Sequence, residues 1–410
     1  MSGNEPVSLA NKKIAMSETV KAHGLNGRLV EPDWRPLTIE ELRPLLAEFP
    51  AAGAPREILF ASPRPLSAAA VVRTERGRVF VKRHARAVRD AEGLLEEHRF
   101  MEHLAENRAS VPRVLRNAGG QSAIERGSWT YEVHEPASGI DLYGEAQSWT
   151  PFRSAAHARA AGEALARLHC AAEGFDAPRR KAQPLVASFT IFADPDADEA
   201  MRLYLAARPE LAGHAAVRES AQQALELLAP FHAELCPRLP ELRPLWTHND
   251  LHASNLLWSD TSPNARATAV IDFGLADRTN AVHDLAHAIE RNIIEWLSLV
   301  EDPAEPDRVP VHSEHLEALL AGYEQVRALN AGEAAALAPM LALCHAEFAL
   351  SEAEYFLGVL HSEESARMAY SGWLVGHSRW FHSAAGRRLL DFLRRRADRR
   401  AFSIERAARA

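Results

Sequence analysis

Two short words carry most of the chemistry in this sequence: HNDLHASNLLW at His248–Trp258 and VIDFGLAD at Val270–Asp277. They set Asp250, Asn255 and Asp272 at short, ordered separations, with polar groups emerging from otherwise apolar runs. Carboxylate and amide oxygens are the donors that hard divalent cations prefer, and a carboxylate also accepts a proton, so the pattern suits metal-assisted phosphate chemistry. A third signal is Lys82 in GRVFVKRH, where strand alternation puts Phe80 and Lys82 on one face. The chain holds only five lysines against 42 arginines, and a flexible ammonium meets phosphate oxygens without needing a guanidinium's planar fork.

These groups need a frame. LTIEELRPLLAEF predicts a short helix after Thr38 as N-cap, and β-prone runs predict antiparallel strands at 58–61, 68–74 and 78–83. A helix from about Arg89 to Asn107 and a strand over Trp129–Glu135 complete a small sheet-plus-helix lobe. Beyond residue 150, Ala/Leu-rich helical periodicity takes over at 154–172, 196–208, 214–236 and from His283 to about Arg400, interrupted by a strand-like island at 268–274. The division expected is a flexible arm over 1–35, a small sheet-plus-helix lobe over 36–136, a helical lobe over 137–386 and an arginine-rich segment over 387–410.

The 410 residues are 47% hydrophobic and 25% charged, enough for a full-sized core, which excludes a disordered tail or a disulfide-stapled miniature. A net charge of −8 argues against a dominant hold on nucleic acid. Three distant cysteines, Cys170, Cys236 and Cys344, support neither a disulfide framework nor a zinc cage and point to a reducing, cytoplasmic setting. The N-terminus lacks a signal-peptide pattern, and no segment reads as a membrane span.

The ordered words resemble the aminoglycoside and choline kinase-like phosphotransferases. HNDLHASN is similar to that family's His-Gly-Asp-x-x-x-x-Asn loop, with Asn249 in place of glycine and Ala253-Ser254 in place of a frequent Pro-Gly. VIDFG resembles its metal-binding element, and HDLAHAI at His283–Ile289 its following helix; the resemblance spans roughly residues 55–385. It implies an α+β, bilobal protein-kinase-like fold and an ATP- and Mg2+-dependent kinase that phosphorylates a small-molecule hydroxyl. Asp250 would then be the base, Asn255 and Asp272 the Mg2+ ligands, and Lys82 the nucleotide lysine. His248 is expected to orient the loop.

Glu97 is the expected partner of Lys82, since Phe100, Met101 and Leu104 can anchor its helix; Glu96 replaces it if the register differs. No glycine-rich word precedes the lysine strand, so SPRPLS at Ser62–Ser67 is assigned to the phosphate lid, with Ser67 or backbone N–H groups touching phosphate. Glu135-Pro136-Ala137 should join the lobes, with backbone near Glu135 and Ala137 reading the adenine edge. His283, His287 and Glu290 share a helix face that reads as structural or substrate-side rather than zinc-binding. Asp284 and Glu290, with Glu347 and Glu354, are candidates for the acceptor side. The acceptor class is an amino alcohol, amino acid or aminosugar, with a faint likeness to homoserine kinase-like members; the alternatives are a regulatory pseudokinase and, less favoured, a protein-directed kinase. The arginine-rich C-terminus reads as a solvated or intramolecular face, and the sequence leaves the oligomeric state open.

Overall fold

The structure, a computed structural model, describes residues 21–24, 27–181 and 183–409. In the small lobe, β1 (Ala22–His23) pairs with β2 (Leu29–Val30), and α1 (Ile39–Leu46) starts where the Thr38 hydroxyl accepts the Glu41 N–H at 3.2 Å. Next come β3 (Pro55–Ala61), β4 (Ala68–Thr74), β5 (Gly77–Ala85), α2 (Ala91–Glu106), β6 (Arg113–Val114), β7 (Ala123–Arg126) and β8 (Trp129–Glu135). The sheet is antiparallel in the order β3-β4-β5-β8, with β6 and β7 along the outer edge of β8.

Alternation along β5 and β8 gives this sheet two different faces. Val79, Val81, Tyr131 and Val133 join Leu42, Leu45 and Leu46 of α1 in an apolar core. At its rim Glu41 accepts both the Arg83 guanidinium and the Tyr131 hydroxyl at 2.7 Å. The opposite face carries the cross-strand pairs Phe80–His134, Lys82–Glu132 and His84–Thr130, turned toward α2 and the cleft.

The large lobe begins with α3 (Ala155–Ala172), α4 (Ala197–Ala206), α5 (Pro209–Gly213) and α6 (Ala215–Leu235). Four short strands follow as two antiparallel pairs: β9 (Pro244–Thr247) with β12 (Asp277–Asn280), and β10 (Leu256–Trp258) with β11 (Ala267–Val270). Then come α7 (Ala281–Ile293), α8 (Trp296–Glu301), α9 (Ser313–Val326), α10 (Ala331–Leu343), α11 (His345–Gly358) and α12 (Glu363–Arg367). A π-helical stretch over Met368–His377, α13 (Ser378–Trp380) and α14 (Ala384–Arg409) end the chain. α3 and α9 meet backbone to backbone: a Cβ on Gly162 would lie 2.0 Å from the Leu319 carbonyl oxygen, and one on Gly322 2.1 Å from that of Arg159. Every residue of α7 is buried, its N-terminus capped by Asn280, so its polar side chains serve the interior.

Between the lobes, Gly139 (φ +139°) lets the chain pass over the β10–β11 pair, where a Cβ would approach Thr268 Oγ1 to 2.3 Å. A small antiparallel-sheet part followed by a helical part is the architecture expected; the predicted strands have counterparts in β3, β4, β5, β8 and β11, whereas β1, β2, β6, β7, β9, β10 and β12 answer to no predicted strand, and the last helix runs on to Arg409. One expectation needs correction, that of a flexible arm over 1–35: residues 1–20 lie outside the described residues, but β1 packs against the loop between β3 and β4, His23 N–H donating to the Pro63 carbonyl at 2.9 Å, and Trp34 donates to the Tyr355 hydroxyl at 3.1 Å. Ala331–Gly358 is apolar and long enough, by composition, to cross a membrane, but 89% of its apolar window is buried within the protein, as in a core helix. Described arginines of α14 pair within the chain, Arg394 with Glu234 and Arg396 with Glu324.

Candidate active site

The loop between β9 and β10 is positioned from below by Asp284 at the start of α7. Asp284 accepts the N–H groups of His248 and Asn249, each at 2.8 Å, and the His169 ring N–H at 3.0 Å. Burial pushes its carboxyl up, but these bonds and the imidazoles reverse the shift and hold it below its usual range. Asn249 sits at φ 59°, the left-handed region where glycine is easiest and asparagine among the best tolerated alternatives. Its side chain adds contacts no glycine makes: Oδ1 accepts from Thr247 Oγ1 at 2.9 Å and Thr279 Oγ1 at 3.1 Å.

His248, fully buried, donates from Nε2 to the Ile271 carbonyl at 3.0 Å and accepts the Asp250 N–H on Nδ1 at 3.2 Å. One ring thus fixes the loop to the segment leading into Asp272. The Asn255 amide nitrogen donates to the Asp250 carbonyl at 2.9 Å and to Asp250 Oδ2 at 3.1 Å. Its amide oxygen and the Asp272 carboxylate are then the oxygen donors suited to a divalent cation. Asp250 Oδ1 lies 3.0 Å from Arg291 Nε. Burial raises the Asp250 pKa, and Arg291 opposes that rise.

Asp272 (φ 62°) follows β11, and its Oδ1 accepts the Lys82 ammonium at 2.9 Å. Burial pushes the Asp272 carboxyl up, but Lys82 overcomes this and holds it far below the usual carboxylate range. Lys82, Asp250, Asn255 and Asp272 all line one cleft, which also contains Ser67 and Arg64 from the loop between β3 and β4. Arg64 Nη1 lies 3.1 Å from His23 Nδ1 and donates to Ser148 Oγ at 3.1 Å, linking the lid to β1.

Other predicted residues fall elsewhere. Glu97 is buried on α2 but takes Arg180 at 3.0 Å, while Lys82 takes Asp272, so the expected Lys82–Glu97 ion pair is not formed. Glu96 also turns to Arg180 and accepts the Lys181 N–H. The cause is the segment after α3: Arg180 donates to the carbonyls of Gly274 and Gly93, both at 2.8 Å, strapping α2 to the loop that carries Asp272. Glu135 pairs with Arg113 at the end of β8; neither it nor Ala137 lines the cleft around Asp250.

The four acceptor candidates lie outside the residues that line the cleft. Asp284 holds the loop between β9 and β10, and Glu290 lies 3.4 Å from His377. Glu347 accepts the N–H groups of Thr190 and Ile191 and the Thr190 hydroxyl, while Glu354 pairs with Arg208. The cleft instead holds Arg291, Phe348, Glu352, His252 and Trp149. Arg291 stands seven residues after Asp284 on α7, a spacing that could have revealed it. Phe348 and Glu352, four apart on α11, present the turn's neighbouring face to that of Glu347 and Glu354. Arg291 lies 4.8 Å from the Phe348 ring centre, and burial raises the Glu352 pKa to about 8 against the pull of Arg291.

Residues 66–329 match the phosphotransferase enzyme family. Several solved structures share the fold. An aminoglycoside phosphotransferase from Alicyclobacillus acidocaldarius subsp. acidocaldarius DSM 446 is 16% identical with a TM-score of 0.51, over 89% of this chain and 98% of that one. A microcompartment-associated aminopropanol kinase is 16% identical, TM-score 0.53, over 85% and 99%. Amicoumacin kinase in complex with AMP-PNP, Ca2+ and its ligand is 14% identical, TM-score 0.53, over 83% and 93%. No curated protein shows significant sequence similarity to the chain.

Proposed function

The chain belongs to the phosphotransferase enzyme family, and from that premise we propose that it transfers the γ-phosphoryl group of ATP to a hydroxyl of a small molecule. The observation that carries this reading is the convergence of Lys82, Asp250, Asn255 and Asp272 on one cleft between the lobes. Asp250 accepts the acceptor hydroxyl's proton as the new O–P bond forms and the bond to the ADP oxygen breaks. Its base strength need not be high, because in a loose transfer the proton moves late. Lys82 offsets negative charge on the nucleotide phosphates, and Arg64 lies at the same cleft for the same purpose. His248 and Asp284 act through the loop, holding Asp250 and Asn255 in place.

Asn255 and Asp272 fit a Mg2+ ion, which when bound neutralises phosphate charge. For the acceptor we favour an amino alcohol, amino acid or aminosugar. Glu352 beside the Phe348 ring suits a cationic amine, and Arg291 beside Asp250 suits an anionic or hydroxyl oxygen.

The test is purified protein with γ-labelled ATP, Mg2+ and a pool of amino alcohols, amino acids and aminosugars, with products followed by mass. A phosphorylated acceptor that disappears with Asp250→Asn supports the reading. Label transfer unchanged in that variant refutes it.

A further inference from the structure

Behind Lys82 the small lobe buries a cluster that the phosphotransfer reading does not use. Strand alternation turns Lys82 and His84 of β5, and Glu132 and His134 of β8, to one face, and α2 lays His98 over it. All three imidazoles point Nε2 at a single carboxylate: His84 lies 2.9 Å from Glu132 Oε1, and His98 and His134 each lie 2.8 Å from Oε2. The donor atoms of His98, Glu132 and His134 lie within 4.8 Å of one another. His84, His98, Glu132 and His134 are 5%, 1%, 1% and 7% exposed, so water does not bring them together.

We propose that His98, His134 and Glu132 form a binding site for a zinc-class transition-metal ion, held by two imidazole nitrogens and one carboxylate oxygen, with His84 at the other oxygen of Glu132 as its outer partner. Four points support it. Two nitrogens and one oxygen match the borderline-soft preference of Zn2+, Co2+ or Ni2+, whereas Mg2+ and Ca2+ favour all-oxygen sets such as Asn255 and Asp272. Three converging protein donors leave the fourth position of a tetrahedral ion to a water, an arrangement zinc accepts. The donors stand on one strand of the sheet and the helix packed against it, a rigid frame that pre-sets their spacing. Finally, Ser122 Oγ lies 2.9 Å from His98 Nδ1, the outer partner that orients the ring of a metal-binding histidine.

The consequence is mechanical. A metal here would tie α2 to β8, the strand paired with that of Lys82, and α2 also carries Glu97, the anchor of the Arg180 strap. The competing explanation is a metal-free network in which the imidazoles simply donate to Glu132, and the two differ in what they bind. The proposal is independent of whether the cleft transfers phosphate, because its readout is metal content.

The full-length protein is stripped with a chelator and titrated with Co2+. The expected result is a tetrahedral d–d absorption that saturates at about one Co2+ per chain, is bleached by Zn2+ and survives excess Mg2+. The paired variant His98→Gln, His134→Gln keeps hydrogen-bonding groups toward Glu132 and is expected to lose the band. Absence of the tetrahedral band in the wild-type protein overturns the proposal, as does full retention of zinc by a folded double variant. Should that variant fail to fold, the wild-type titration decides alone.

Discussion

The Lys82 ammonium meets Asp272 Oδ1 at 2.9 Å, joining residues 190 positions apart and tying the small lobe's central strand to the loop after β11. The pair sits at the mouth of the cleft, with 37% of the Asp272 side chain still open. Charge on each partner stabilises charge on the other, so the lysine stays protonated and the aspartate ionised across the physiological range. Lys82→Met removes the cation and leaves Asp272 partly buried without its partner. Turnover at fixed ATP should fall on the order of 10²-fold or more, measured by steady-state kinetics. Wild-type kinetics in this variant would assign phosphate placement to Arg64.

Asp250→Asn tests the proton acceptor itself. The amide keeps the shape of the side chain but cannot take the proton, so kcat should fall by roughly 10²- to 10⁴-fold. Nucleotide affinity, measured by calorimetry, should stay close to wild type, because Lys82 and Asp272 are untouched. A parallel loss of nucleotide binding would show Asp250 to be a ligand rather than a base.

Much of this site was legible in the sequence because its residues lie in two contiguous words. His248, Asp250 and Asn255 sit within eight positions and Asp272 comes just after β11, so local pattern was enough to single them out. Asn249 was legible only as a departure from glycine; its left-handed backbone and its hydrogen bonds to two threonines explain why asparagine serves there. The Lys82–Glu97 pairing failed for a non-local reason: Arg180 lies in an irregular segment after α3 with no periodic signal, and it takes the Glu97 carboxylate. The acceptor-side candidates on α11 stand on a different face of the helix from the residues that line the cleft. Glu347 and Glu354 share a face directed at Thr190 and Arg208, whereas Phe348 and Glu352 face the cleft.

Asp284→Asn tests the support beneath the loop. The carboxylate accepts two backbone N–H groups and one imidazole, and an amide offers a single acceptor oxygen, leaving at least one buried donor unpaired. Stability should drop by about 2–4 kcal/mol in urea denaturation, with a lower kcat in the folded fraction. Unchanged stability would mean the loop is held chiefly by His248 and Asn249.

Glu352 gives a pH signature. Burial raises its carboxyl from 4.5 to about 8, opposed by Arg291, so across that interval the folded chain keeps a proton that the unfolded chain releases. Stability is therefore lost as pH rises from about 4.5 to about 8, on the order of 1.4 kcal/mol per pH unit at most. Glu352→Gln removes this contribution. Melting temperatures of the two proteins should agree near pH 4.5 and diverge in the variant's favour toward pH 8, and parallel curves would show that Glu352 is ionised throughout. The same titration bears on the acceptor: a cationic amine should bind wild type more tightly as pH climbs through about 8, and Glu352→Gln without that trend.

The strap from Arg180 makes the last prediction a choice between two partners for Glu97. Arg180 holds Glu97 at 3.0 Å while its remaining donors reach the carbonyls of Gly93 and Gly274, and Arg89 adds a further bond to Gly274 at 2.9 Å. Two arginines thus fasten α2 to the loop of Asp272, doing with backbone carbonyls what a direct Lys82–Glu97 bond would do with charge. A double-mutant cycle with Glu97→Gln and Arg180→Met should give a coupling of about 1–3 kcal/mol, because the pair is buried and in contact. The cycle of Glu97→Gln with Lys82→Met should give a smaller value, since Lys82 is bonded to Asp272. If the Lys82 cycle proves the larger, α2 is positioned by the lysine and the strap is secondary.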